Sequence, residues 1–174
     1  MNKSDILALL DYNFWANARI VDTAENIPVT DLIKLIEPNP GWGSLRGILV
    51  HTLDVEIGWR SIVQSNLMAP DLVEAEFGDV PALRAAWAVE KQAWFDFVGG
   101  LSDARLNEHY SYQFGDGPKR TRKVWQTIAH VINHGTQHRS EAAMLLTGYG
   151  QSPGELDFGL FLRDHPEHVQ AAEG

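Results

Sequence analysis

The sequence predicts an all-α protein, a four-helix bundle with a small β-ribbon before its last helix. Four long segments carry apolar residues three to four positions apart, so each would form a helix with one stripe to bury. Loops rich in glycine and proline separate these segments, and helices of this kind bury their stripes by packing as a bundle. A chain of 174 residues, 44% of them hydrophobic, suits one domain over residues 1–174.

The first two predicted helices are long and joined by a loop. The first runs from Ser4 to Glu25, and Pro28 closes it. The loop that follows holds two prolines, and two glycines flank Trp42, which breaks the helical pattern. The second helix extends from Ser44, a residue type suited to cap a helix start, to about Ser65.

A hairpin separates the third and fourth predicted helices. Asp79-Val80-Pro81 opens the third helix, because proline fits the first turn, and Gly99-Gly100 ends it. Alternating apolar and polar residues on both sides of Gly115-Asp116-Gly117 predict a two-stranded ribbon. The fourth helix runs from about Thr121 to Thr147. We expect an ordered core over about residues 3–164, followed by a polar tail that frays.

The composition excludes several classes of protein and of site. Without cysteine there is no disulfide, thiolate metal site or cysteine nucleophile, so any metal must be bound by nitrogen and oxygen. A net charge of −9 disfavours nucleic-acid binding. No apolar run approaches the roughly 20 residues of a membrane span, and the N-terminus lacks a signal-peptide pattern. We therefore expect a cytoplasmic protein with no membrane and no nucleic-acid partner.

Three histidines in the fourth predicted helix, His130, His134 and His138, each follow the last by four residues. Residues four apart lie on nearly the same face of a helix, so a pair of these imidazoles can bind one metal ion. The spacing allows His130/His134 as readily as His134/His138. A third ligand must come from elsewhere, and His51 is the only other histidine in the middle of a predicted helix.

Four short motifs occur along the chain: DYNFWANARI in the first helix, VHTLDVEIGW in the second, VINHGTQHRSE in the fourth and YGQSPGELDF after it. Together, and in this order, they resemble the DinB/YfiT-like family of four-helix bundles. The resemblance implies an up-up-down-down bundle, frequently a homodimer, and the long connections after the first and second helices leave room for a crossover connection. It also implies a divalent metal held by His51, His134 and His138, which leaves His130 as a core residue or a residue behind the ligands.

Two adjacent positions depart from the family pattern, in which a glycine and a glutamine usually follow the His-Arg pair. Here these positions are Ser140 and Glu141, and Glu141 follows His138 by three residues on about the same face. Its carboxylate could hydrogen-bond the distal N–H of a ligand, approach the metal or accept a proton from bound water. We take Glu141 as the candidate catalytic residue; a surface ion pair, with Arg139 for example, is the alternative.

Three residue types near these histidines carry further predictions. Asp54, three residues after His51, is a candidate to orient that imidazole, whereas Glu56 should point away from it. Trp42 is a candidate pocket wall. The tryptophans on helical stripes are expected to pack the bundle instead: Trp15, Trp59, Trp87 and Trp94.

Three neutral imidazoles leave a coordination position open, as in catalytic rather than structural metal sites. Such a set suits zinc, nickel, iron(II) or copper. The first hypothesis is therefore a metal-dependent enzyme that activates water, or a low-molecular-weight thiol, for hydrolysis or S-transfer on a small-molecule substrate. The resemblance implies the thiol, because branches of the family use bacillithiol or mycothiol. The second hypothesis is a non-catalytic metal-binding stress-response protein.

Overall fold

The computed structural model describes residues 1–38 and 41–169 of the chain. Within these residues, four long helices form the body, and shorter helices and one two-stranded sheet connect or follow them. The helices are α1 Lys3–Ala24, α2 Val29–Leu32, α3 Leu45–Ser65, α4 Val80–Gly99, α5 Asp103–Asn107, α6 Val124–Gly148 and α7 Phe158–Asp164. The strands are β1 His109–Tyr112 and β2 Arg120–Lys123. The predicted helical bundle with a small ribbon is confirmed.

The long helices begin where the sequence provides capping side chains. Ser44 Oγ accepts from the backbone N–H of Gly47 at 3.0 Å, as predicted for the start of α3. Asp79 caps α4 in the same way, with proline in its first turn. α1 begins one residue before the expected Ser4, because Asn2 caps it and forms a reciprocal pair of hydrogen bonds with its third residue.

Side-chain contacts fix the directions of the long helices. Arg84 at the start of α4 pairs with Glu25 just after the end of α1, so α1 and α4 are antiparallel. α3 and α4 are parallel, because Glu56 of α3 contacts Trp87 of α4, and the later residue Arg60 of α3 contacts the later residue Glu90 of α4. α3 and α6 are antiparallel, because their contacts advance in opposite directions: His51 with His138, and Trp59 with His130.

The four long helices α1, α3, α4 and α6 therefore run up, down, down and up. This corrects the up-up-down-down order that the resemblance implied. The crossover connection is the segment 66–79, which returns along α3 before α4 begins. α3 has 21 residues and is about 31 Å long, and the segment 66–79, when extended, is long enough to run its full length. On the way, the backbone of Leu72 donates to Asp54, and Glu74 accepts from Ser44.

The predicted hairpin is present, with β1 and β2 antiparallel and Tyr110 opposite Arg122. α6 begins at Val124, later than the expected Thr121, because residues 120–123 pair with β1 instead of forming the first helical turn. Backbone groups of this segment are satisfied by the ladder, which a local helical pattern could not reveal. The ribbon rests on the bundle through Tyr112, whose ring packs edge-on against Trp59.

The core lies between the four long helices, and the tryptophans on their stripes pack there as predicted. Trp94 is fully buried and Trp87 nearly so, while Trp15 and Trp59 pack at the edge of the core. Burying side chains of this size supplies a large share of the hydrophobic stabilisation. No helix within residues 1–38 and 41–169 is long and apolar enough to span a bilayer.

The chain after α6 packs back onto the bundle. Asp157 caps α7 by accepting from Gly159, and Phe161 of α7 is buried in the core. His168 lies beyond α7, yet its Nε2 is 3.2 Å from Asp11 Oδ2 of α1 and its ring stacks on Phe161. Predictions for the loop at residues 39–40 and the tail at 170–174 fall outside the described residues. The single domain over the whole chain stays a prediction.

Candidate metal centre

His51, His134 and His138 converge between α3 and α6. His51 Nε2 lies 3.1 Å from His134 Nε2, and His138 Nε2 lies 3.1 Å from the same atom. Helical geometry places His134 and His138 one turn apart on the face of α6 that meets α3. One nitrogen from each ring lies within 4.8 Å of the other two, so the group could hold a metal ion.

The spacing of the nitrogens suits a small divalent ion. Nitrogens bound 2.0–2.1 Å from a tetrahedral ion are about 3.3–3.4 Å apart. The two observed separations of 3.1 Å are close to this value. His134 Nε2 faces two imidazole nitrogens but can donate to only one of them, whereas a cation between the rings would satisfy all three lone pairs. The residues present therefore fit a metal ion such as zinc, nickel, iron(II) or copper.

Two of the three imidazoles are held neutral. Burial is the main cause that lowers the pKa of His51 to about 4, and the neighbouring His138 lowers it further. The pKa of His134 is lowered to about 3, again mainly by burial and then by His138 and His51. Both rings are therefore unprotonated at neutral pH, which is the state in which an imidazole nitrogen binds a metal.

Glu141 contacts one of the three rings from behind. Its Oε2 lies 2.8 Å from His138 Nδ1, and its Oε1 accepts from Gln137 Nε2 at 3.3 Å. A carboxylate at Nδ1 favours the tautomer with the proton there, so Nε2 keeps a free lone pair. By contrast, His134 Nδ1 is buried without a hydrogen-bond partner among the described residues.

Trp42 covers the outer face of His51. The two rings are stacked, with centroids 3.3 Å apart and planes 10° from parallel, and Trp42 also meets the His138 ring edge-on. Gly41 and Gly43 on either side have φ values of 118° and 71°, which bring the indole over the imidazole and which other residues rarely adopt. Trp42 is still 37% exposed, so it forms a wall at the edge of the site, as predicted.

Comparison with known proteins assigns the chain to a family. The model of the DinB family matches residues 1–169. The chain belongs to the DinB family. It is also similar to Protein DinB of Bacillus subtilis (strain 168), with 25% identity over 163 residues that cover 88% of this chain and 91% of that protein. The resemblance indicated by the four sequence motifs is therefore confirmed.

In this DinB-family chain, His130 lies outside the group of converging histidines. Its ring packs edge-on against Trp59 at 5.2 Å and lies 6.1 Å from the His134 ring, centroid to centroid. Burial lowers the pKa of His130, so it is a neutral residue of the aromatic cluster beside the ribbon. Of the two pairs that the spacing allowed, the structure brings His134/His138 together with His51.

Asp54 does not orient His51, contrary to the prediction. Its Oδ1 accepts from the backbone N–H of Leu72 at 2.7 Å and so holds the crossover segment against α3. Asp54 also lines a cavity of about 320 Å³ that opens beside His51 and Trp42. This volume lies within the range of small-molecule sites in proteins. The other lining residues are Gly41, Gly47, Val50, Asp71, Leu72 and Glu74.

Sequence reasoning missed a buried polar network beneath the histidines. Glu56 was expected to point away from His51; it lies in the core, 1% exposed, and accepts hydrogen bonds from Asn13 and Asn17 of α1. Arg139 is 4% exposed and donates to the same asparagines, so the alternative surface pair of Arg139 with Glu141 is not seen. The available signal was the pair of asparagines four residues apart within the first helix.

Proposed function

We propose that this DinB-family chain is a metal-dependent enzyme in which His51, His134 and His138 hold a divalent ion that acts on a small-molecule substrate. The observation that carries the proposal is the convergence of three imidazole nitrogens from two helices beside a cavity. A bound ion in such a set lowers the pKa of a coordinated water toward about 7, or holds a thiol as a thiolate. Within the described residues the group has no fourth histidine or carboxylate, which supports an open coordination position.

In this proposal each ligand ring is held by a different neighbour. Glu141 keeps the proton of His138 on Nδ1, so it acts through His138 as a positioning residue, the first of the three roles considered for it. Trp42 packs flat on His51 and limits its rotation. Because these contacts hold the rings in place, the site loses little freedom when it binds an ion, and this favours affinity.

We infer that the cavity beside His51 takes the substrate. Trp42 and Leu72 supply apolar walls, while Asp54 and Asp71 supply carboxylates, and the carboxylate of Glu74 is paired with Arg46. A strongly anionic molecule is disfavoured by these charges, so a neutral or cationic electrophile fits better. The reactions that suit this arrangement are hydrolysis and S-transfer from a low-molecular-weight thiol, the reactions considered from the sequence.

The test is turnover by the protein reconstituted with zinc, nickel or iron(II), assayed with ester substrates and with pairs of a small thiol and an aryl halide. We expect activity with at least one metal, and its loss in His51→Ala while the circular dichroism of the bundle is unchanged. His130→Ala is the control, because His130 is a half-buried histidine of α6 that lies outside the converging group, and it should retain activity. Equal activity in wild type and His51→Ala would contradict the proposal.

The alternative function, non-catalytic metal binding, predicts a different response. A bound ion that only stabilises the bundle would occupy a saturated site, and its chelation would lower the melting temperature without any reaction to lose.

A homodimer, which the resemblance also implies, is tested by light scattering, in which the measured mass is compared with the 19.4 kDa of one chain.

A further inference from the structure

A network of polar side chains crosses the centre of the bundle. Glu56 Oε1 accepts from Asn13 Nδ2 at 2.7 Å and from Asn17 Nδ2 at 2.9 Å, and Glu56 Oε2 accepts from Trp87 Nε1 at 2.8 Å. Arg139 Nη1 donates to Asn13 Oδ1 at 2.6 Å and to Asn17 Oδ1 at 2.8 Å. The two asparagines therefore bridge a carboxylate and a guanidinium, and each of the four long helices contributes at least one member.

The network restricts the helices more than apolar packing does. Its members are between 0% and 6% exposed, so none can exchange a lost partner for bulk water. Breaking a buried hydrogen bond to a charged group leaves that group unsatisfied, which is far more costly than shifting one apolar contact against another. A displacement of α3 along α6 by even one residue would separate Glu56 from the asparagines that also hold Arg139. The network is therefore compatible with one register.

α3 and α6 also carry the candidate metal ligands. Arg139 directly follows His138 on α6, and Glu56 lies on α3 between one and two turns after His51. Gly135, directly after His134, leaves room for the network, because a Cβ there would lie 2.7 Å from Arg139 Nη1 and 2.9 Å from an asparagine oxygen. A small void beside the network is lined by Asn17, Trp87, Arg139 and also by His138 itself.

We propose that the network of Glu56, Asn13, Asn17, Trp87 and Arg139 sets the register of α3 against α6, and so places His51 against His134 and His138. Its members are positioning residues for the metal centre and do not contact the ion. This inference rests on the proposed function, since it assumes that the three histidines bind a metal. It predicts that damage to the network weakens metal binding through geometry, in addition to any loss of stability.

The experiment compares Glu56→Gln with Glu90→Gln. Glu90 is 2% exposed and accepts two 2.7 Å hydrogen bonds from Arg60, but this pair joins α3 to α4 and does not reach α6. Both substitutions replace a buried, hydrogen-bonded carboxyl group by an amide at nearly constant volume, so both should lower the denaturation midpoint. Zinc affinity, measured by chelator competition, should fall by about tenfold or more in Glu56→Gln. It should stay within about threefold of wild type in Glu90→Gln.

The absorption bands of bound cobalt(II) supply a readout of ligand geometry that stability alone does not move. We expect altered band positions or intensities in Glu56→Gln and unchanged bands in Glu90→Gln. Asn17→Ala removes one of the two bridges and leaves Asn13 in place, so it should fold and show a smaller change of the same kind if Glu56→Gln does not fold.

Two outcomes overturn the inference. If wild type binds zinc and both network variants bind it with wild-type affinity and unchanged cobalt(II) bands, the network only stabilises the bundle and the proposed function stands. If wild type binds none of these metals under any condition, there is no centre to position, and the proposed function fails together with the inference.

Discussion

At the scale of single residues, the second nitrogen of each imidazole decides how well the first can bind a metal. His138 has its Nδ1 fixed by Glu141 at 2.8 Å, whereas His134 has no hydrogen-bond partner for its Nδ1 in the part of the chain that the structure describes. A carboxylate behind a ligand fixes the tautomer and raises the basicity of the metal-binding nitrogen. The hydrogen bond with Glu141 thus orients the His138 ring, whereas the rings of His51 and His134 are oriented by packing.

Glu141→Ala should weaken zinc binding by about 10- to 100-fold, the usual effect of removing such a carboxylate. Glu141→Gln keeps an acceptor oxygen for His138 Nδ1, so its loss should be smaller. Chelator competition measures both constants. Ser140→Ala is the control, because Ser140 is exposed on the same helix and bonds only the backbone oxygen of Thr136. If Glu141→Ala and Glu141→Gln bind zinc as tightly as Ser140→Ala does, Glu141 does not act through His138.

The depressed pKa values of His51 and His134, about 4 and about 3, predict how the metal-free protein responds to acid. In the unfolded chain a histidine titrates near 6.5. Between that pH and the folded values the unfolded state binds more protons, so the stability that these neutral rings contribute is present above about 6.5 and is lost as pH falls. We therefore expect the free energy of unfolding, with chelator present, to decrease between pH 7 and pH 5.

Urea unfolding of variants tests this cause. His134→Ala should show a shallower loss of stability between pH 7 and pH 5 than wild type, because one titrating group is removed. His109→Ala, at an exposed position of β1, should keep the wild-type slope. A slope in His134→Ala as steep as in wild type would mean that other groups cause the acid sensitivity.

At the scale of elements, α6 combines two functions on adjacent residues. His134 and His138 face the candidate metal centre, while Gly135 and Arg139 face the polar network. Consecutive positions of a helix lie about 100° apart, so the two faces stay separate. Gly135 makes this arrangement possible, since any side chain at that position would meet Arg139.

Gly135→Ala should destabilise the protein by about 1–3 kcal/mol through overpacking. Helix propensity alone would predict a gain in stability instead, because it favours alanine over glycine by about 1 kcal/mol. Gly148→Ala is the matched control at the end of the same helix, where an added Cβ meets nothing within 4 Å. Denaturant titration should show a loss for Gly135→Ala and none for Gly148→Ala. A stabilised Gly135→Ala would show that the network adapts to a larger residue.

The elements differ in how far the sequence predicts them. Local signals predicted the helix starts: a capping residue at Ser44, and proline in the first turn after Asp79. The hairpin followed from the alternation of apolar and polar residues around Gly115, which is also local. The start of α6 was placed too early, because strand pairing of residues 120–123 depends on a partner segment that a local pattern does not identify. The convergence of His51 with the histidines of α6 followed from the family resemblance and not from spacing alone.

Long-range polar contacts were beyond sequence reasoning. Glu56 and Arg139 are charged residues that would ordinarily be assigned to a solvated surface, yet both are buried because asparagines of α1 satisfy them. Helix direction was also missed, since the order of apolar stripes is the same whether α3 runs parallel or antiparallel to α1. Only the contacts between helices decide it.

At the scale of the whole molecule, the up-down-down-up order makes the candidate centre possible. Because α3 and α6 are antiparallel, the first half of α3 with His51 faces the middle of α6 with His134 and His138. The crossover segment then returns along α3 and forms one side of the cavity through Leu72 and Glu74. The crossover segment, which allows α3 and α4 to be parallel, therefore also borders the candidate substrate site.

The most direct test of the account is the metal content of the protein purified without a histidine tag, beside His51→Ala and His138→Ala. We predict about one zinc, nickel or iron ion per wild-type chain, after reconstitution if necessary, and its loss in both variants while the bundle stays folded, because three nitrogens converge on one point. A wild-type chain that binds none of these ions, or variants that bind as much metal as wild type, would contradict it.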